Sequence, residues 1–127
     1  MDSVVHFEIP ADDTKRAQKF YSEIFGWGMQ EFPMGDMTYI VTRTTEVDDK
    51  QMPLKAGAIN GGIFARPANA PNPVLYISVA SIEDALKKVT AAGGKIITPM
   101  TPIPNMGSYA RFTDTEGNVM ALWQNVS

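Results

Sequence analysis

The hydrophobic pattern of this chain runs through the same order twice, and that repetition restricts the possible folds more than any single motif. Val4-Val5-His6-Phe7-Glu8-Ile9 is β-branched and broadly alternating, which predicts a strand ended by Pro10. Asp12, Asp13 or Thr14 caps a following helix, in which Ala17, Phe20, Tyr21, Ile24 and Phe25 recur on one face. Gly26 stops that helix by taking a left-handed conformation. Strand-like stretches follow at about 27–32, 37–44 and 57–65, with a hairpin turn at Met34-Gly35-Asp36 and a polar loop over 45–56. Arg66-Pro67-Ala68-Asn69-Ala70-Pro71-Asn72-Pro73 carries three prolines in eight residues and reads as a stiff connector.

After the connector the order starts again. Val74-Leu75-Tyr76-Ile77-Ser78-Val79 predicts a strand, and Ser81 with Asp84 resembles a capping box. Ile82, Ala85, Leu86 and Val89 form an apolar helical stripe ended by Gly93-Gly94. Strands are expected at about 95–98, 107–113 and 118–125, the last two joined by the Asp114-Thr115-Glu116-Gly117-Asn118 hairpin. Pro99, Pro102 and Pro104 predict an irregular flap within 95–106. A constant shift of 68 places His6 on Val74, Ala17 on Ala85, Lys19 on Lys87 and Gly26 on Gly94. The expected class is α+β: one domain over 1–127, built from two βαβββ modules at about 3–65 and 74–125, with 66–73 between them.

Composition narrows the function. A net charge of −3 argues against a nucleic-acid backbone as partner, which requires a basic face. No cysteine is present, which excludes disulfides, Cys-ligated metal and a thiol nucleophile, and the single histidine excludes any site needing two. The apolar runs fall far short of the ~20 residues that span a bilayer. Met1 leads into polar residues and a strand, without a basic start or apolar signal core, so a cytoplasmic protein without a membrane association is expected.

Two βαβββ units that open with His-Phe-Glu-Ile-Pro-Ala-Asp-Asp and Phe-Tyr-Ser-Glu-Ile-Phe-Gly-Trp resemble the vicinal oxygen chelate superfamily. That group includes glyoxalase I, bleomycin-resistance proteins and extradiol dioxygenases. The resemblance covers essentially the whole chain. Asn60-Gly61-Gly62 and Thr101-Pro102-Ile103-Pro104 are further similar to a branch of uncharacterised glyoxalase-like proteins. It implies mixed sheets that curl into a cup around a small-molecule site, and a homodimer. It also implies four metal ligands, one on the first and one on the fourth strand of each module. The first-strand position, fourteen residues before Phe20, holds His6, but its counterpart is Val74. The last-strand position falls on Ala121, and Ala58-Ile59-Asn60-Gly61-Gly62-Ile63-Phe64 contains neither carboxylate nor imidazole. Hard divalent ions and catalytic zinc need several converging donors, so the expectation is no metal and no other cofactor, with His6 the one retained ligand position.

The remaining residues suggest a ligand site. Strand alternation turns Val5, Phe7 and Ile9 toward the helix and His6 and Glu8 toward the cup, about 7 Å apart along the backbone. This pair is the candidate acid/base or ligand-gripping element, with hydrogen bonding inside the sheet as its structural alternative. Val74 and Tyr76 occupy the matching face of the second module, and Val119, Ala121 and Trp123 alternate with Met120 and Leu122. Arg111 offers a guanidinium fork, and Asn60 and Gly62 mark a close backbone approach along the same site. The ligand-binding candidates are therefore Asn60, Gly62, Val74, Tyr76, Arg111, Ala121 and Trp123. A small-molecule-binding protein akin to the bleomycin-resistance branch is the first reading. A glyoxalase-like lyase or isomerase, or a dioxygenase, using His6 and Glu8 is the second. With a reference pKa near ~6.5, His6 can change charge in the working range, a nearby Glu8 carboxylate favouring the protonated form and burial opposing it, and binding of an anionic ligand is then expected to weaken as pH rises past its pKa.

Overall fold

Each module begins where a capped helix follows an alternating strand. The computed structural model describes residues 1–126, and β1 is Val4–Ala11. The Asp13 side chain accepts from the Arg16 amide at 3.0 Å and starts α1, Thr14–Phe25. Gly26, at φ +71°, ends it with its amide donating to the Ser22 carbonyl at 3.0 Å. Then come β2 Gly28–Met34, β3 Met37–Arg43 and β4 Gly61–Ala65. The second module repeats this with β5 Val74–Ser78, α2 Ile82–Ala91, β6 Lys95–Ile103, β7 Gly107–Thr113 and β8 Val119–Asn125. The α+β class and the doubled βαβββ order are as the sequence pattern predicts.

The chain divides into two compact units, one spanning His6–Pro73 and the other joining Met1–Val5 to the chain from Val74 onward. The first residues belong with the second unit because the Ser78 amide donates to the Ser3 carbonyl at 2.9 Å. Within the first unit the strand order is β2-β3-β4-β1, and within the second it is β6-β7-β8-β5. In both, the first and fourth strands pair parallel while the remaining neighbours are antiparallel. The pairs Glu8–Gly62 and Tyr76–Ala121 set the two registers.

Each unit has its own core. In the first, Ala11, Ile40 and Ile63 are buried, with Ile9, Ala17, Tyr21 and Met29 packed against them. The second core holds Ile82, Leu86, Ala110, Phe112 and Leu122. The Gln124 side chain accepts from the Ile82 amide at 2.8 Å and so ties the start of α2 to β8.

Three local expectations change. The strand expected from 57 begins only at Gly61, because Asn60 turns its side chain into the preceding loop (Candidate functional site). β6 continues through Pro99 and Pro102 to Ile103 instead of breaking into a flap. It lies at the end of its unit's strand order, and register shifts between Ile96 and Thr98 and between Thr98 and Thr101 absorb the missing amides. The apolar face of α1 is also less covered than its spacing implies: Phe20, Ile24 and Phe25 are 54%, 56% and 59% exposed. Tyr21 instead stacks on Trp27, with ring centroids 5.1 Å apart and planes within 5°.

Two substitutions test this packing by denaturant unfolding. Ile63→Ala removes a fully buried side chain and is expected to cost about 3 kcal/mol. Gly61→Ala is expected to cost about 2 kcal/mol, because a Cβ there lies 2.3 Å from the Phe7 carbonyl oxygen, which the β1–β4 ladder holds in place.

Candidate functional site

In the first unit, Phe7, Ile9 and Ala11 turn toward α1, so His6 and Glu8 stand on the opposite face of β1. Register carries that face across the sheet: Glu8, Gly62, Val41 and Gln30 stand side by side on β1, β4, β3 and β2. Glu8 is 8% exposed. A shallow concavity of about 150 Å³ adjoins the far end of this row, lined by Gly28, Met29, Gln30, Val41 and Arg43.

Tyr39 dominates the face, and the sequence reading did not single it out. Its hydroxyl lies 2.8 Å from His6 Nε2, in a hydrogen bond whose direction follows the histidine tautomer. The planes of the two rings lie within 15° of parallel, with centroids 6.5 Å apart. The Tyr39 tip rests on Gly62, where a Cβ would come within 2.0 Å of the hydroxyl oxygen. Phe64 flanks the ring at 5.9 Å. A strand glycine leaves just this kind of room for an aromatic ring from its neighbour, and that was the available signal in Gly61-Gly62.

The second unit carries the same layout with different chemistry. Met120 and Leu122 belong to its helix-side core, so Ala121 and Trp123 face the other way. Tyr76, Ala121 and Arg111 stand side by side on β5, β8 and β7, at 5%, 0% and 8% exposure. Arg111 places its guanidinium carbon 5.5 Å from the centre of the Tyr109 ring. By register Gly62 corresponds to Ala121, Val41 to Arg111 and Tyr39 to Tyr109. The constant shift of 68 captures only the first strands and helices, because the loops before the later strands differ in length between modules.

The candidate residues thus form two groups. His6, Glu8, Asn60 and Gly62 lie in the first unit, and Val74, Tyr76, Arg111, Ala121 and Trp123 in the second. Asn60 uses its side-chain oxygen to accept from the Thr44 and Thr45 amides, at 2.8 and 3.1 Å, which anchors the loop between β3 and β4. Trp123 donates its indole N–H to Asn125 at 2.7 Å. Val74 is buried at 3% exposure.

Three of the positions at which the resemblance implies metal ligands carry side chains without a donor. Val74, Ala121 and Gly62 offer no donor atom, and the Tyr39 hydroxyl occupies His6 Nε2. Among the described residues no three His, Cys, Asp or Glu side chains are grouped to hold one. Burial pushes the His6 pKa down from 6.5 to about 4, which corrects the expectation of a charge change near neutrality. At pH 7 the imidazole is uncharged, so it cannot hold an anionic ligand by charge.

The amino-terminal stretch 3–43 matches the family described as bleomycin resistance protein-like N-terminal. A glyoxylase-like domain-containing protein of Didymella fabae is 30% identical over 118 residues, covering 91% of this chain and 88% of that protein. A putative glyoxylase, CFP32, of Mycobacterium tuberculosis is 28% identical over 120 residues, covering 92% of this chain but 43% of the relative. The chain therefore spans less than half the length of the mycobacterial relatives it matches. A hypothetical protein of Bacillus halodurans superposes with a TM-score of 0.71 at 12% identity, over 99% of this chain and 96% of that one. The methylmalonyl-CoA epimerase of Mycobacterium tuberculosis does so with a TM-score of 0.68 at 12% identity, over 98% and 88%. At such identities these two structures establish a shared fold.

The lowered His6 pKa has a consequence for stability. Between about pH 6.5 and pH 4 the unfolded chain takes up a proton that the folded chain refuses, so stability falls as pH drops through that window. After allowance for partial exposure the loss is expected to be about 2 kcal/mol. Urea unfolding across that range should show it, and His6→Gln should flatten the slope.

Proposed function

The chain belongs to the glyoxylase-like proteins of the vicinal oxygen chelate superfamily, and on that premise we propose that it binds a small organic molecule without a resident metal ion. The occupants of the ligand positions carry this reading. Gly62, Val74 and Ala121 supply no donor, and the sole histidine is hydrogen-bonded to Tyr39. What remains on these faces is apolar and aromatic surface with a few placed polar groups: His6, Glu8 and Tyr39 in one unit, Tyr76 and Arg111 in the other. Small-molecule sites have this composition. A binding or sequestering role akin to the bleomycin-resistance proteins follows.

A second reading is a lyase or isomerase in which Glu8 and His6 move a proton. The burial of Glu8 on the strand face it shares with His6 favours it, as do the glyoxylase descriptions of the relatives. Its test is solvent-deuterium exchange into candidate substrates, lost in Glu8→Gln.

The reading extends to a homodimer in the cytoplasm. The exposed Phe20, Ile24 and Phe25 on α1 support self-association, and the net charge of −3 gives no basic face for nucleic acid. Among the described residues no helix is long and apolar enough to cross a membrane.

Two measurements check these statements. Elemental analysis after dialysis is expected to find no stoichiometric metal; one equivalent that is lost on His6→Ala refutes the reading. Sedimentation at tens of micromolar is expected to give a dimer that Phe20→Asp weakens, and a wild-type monomer removes the claim.

A further inference from the structure

We propose that Tyr39 is the specificity-determining residue of the first unit's site, where its hydroxyl fills the fourth-strand ligand position and, with His6, recognises an uncharged ligand through a carbonyl or hydroxyl oxygen. This rests on the metal-free binding reading above and deepens it.

The placement is specific. Gly62 is the register counterpart of Ala121, the position the family resemblance marks as a fourth-strand ligand. A side chain rising from Gly62 would collide with Tyr39: its Cβ would lie 2.0 Å from the hydroxyl oxygen, 2.1 Å from Cζ and 2.4 Å from Cε1. The phenol tip therefore stands where a ligand side chain would start. It reaches there from β3, a strand to which the resemblance assigns no ligand. From that point it contacts the one retained ligand position, with 2.8 Å between the hydroxyl and His6 Nε2.

The chemistry of the pair selects the ligand class. A phenol and a neutral imidazole offer hydrogen-bond donors and acceptors without net charge. They can exchange a bond with each other for bonds to an incoming oxygen, and they add nothing extra for a carboxylate. Phe64 and the Tyr39 ring, 5.9 Å apart and tilted by 45°, supply aromatic surface against which an amide or aromatic carbonyl can pack. Arg43, which lines the concavity, donates to Gln51 at 3.0 Å.

Because the chain has one histidine, a ¹⁵N-labelled sample gives one imidazole spectrum, which reports directly on this site. The probes are matched pairs: benzamide, nicotinamide and 2-pyrrolidinone against benzoate, nicotinate and acetate, at pH 7. The expected result is that at least one amide shifts the His6 ring nitrogens saturably, and that its carboxylate partner binds more weakly. Tyr39→Phe keeps the ring and is expected to lower amide affinity about tenfold. Gly62→Ala, which keeps the hydroxyl but pushes it aside, is expected to do the same, with thermal melts reporting whether each variant folds. Carboxylates preferred over amides, unchanged affinity in a folded Tyr39→Phe protein, or no probe moving the His6 signals each overturn the proposal. Failure of the underlying reading looks different: it is a stoichiometric metal in the dialysed wild type, whatever the probes do.

Discussion

The parallel pairing of first and fourth strands is the constraint on which the structure depends. A parallel neighbour cannot be reached through a tight turn, so each module spends a helix and a two-stranded hairpin before the chain returns. The helix covers one sheet face and leaves the other available for polar and aromatic groups. Pairing the first strand with the fourth also brings distant stretches to one level, Glu8 beside Gly62 and Tyr76 beside Ala121. The resemblance implies metal ligands on these same strands, and here Gly62 and Ala121 stand side by side with Glu8 and Tyr76.

The contents differ between the two modules in a physically consistent way. In the first, a glycine opens space that an aromatic ring from β3 fills, and the hydroxyl of that ring meets the only histidine. In the second, alanine stands at the equivalent position between Tyr76 and Arg111. Both modules carry a small residue on the fourth strand with polar side chains on the strands beside it. Burial of the His6 imidazole penalises its charged form and holds its pKa down at about 4.

Much of the fold was legible in the residues. The alternation at 4–9, the Asp13 and Ser81 caps, the Gly26 and Gly93-Gly94 stops and the Gly35 turn each follow from local stereochemistry, and each lies where it was expected. The side to which His6 and Glu8 turn followed from period-two alternation, with Ile9 marking the core side. Less legible were features set by neighbours. β6 passes through its prolines because it ends the strand order of its unit, a fact of topology that no local rule contains. The apolar stripe of α1 told which face is hydrophobic, yet Phe20, Ile24 and Phe25 stay more than half exposed because the sheet beneath covers only part of it.

By itself, the sequence determined the doubled βαβββ order, the inventory of polar groups and the lack of donors at Val74 and Ala121, since these depend on residue type and local spacing. Tertiary structure alone decided that Tyr39 lies over Gly62 and bonds His6, that Asn60 serves a loop, and that the imidazole is neutral. The physical reason is range. Propensity and alternation act over a few residues, whereas Tyr39 and His6 stand thirty-three positions apart and meet only after β3, β4 and β1 have been zipped into register. A proton's affinity for a buried ring is then set by whatever that register assembles around it.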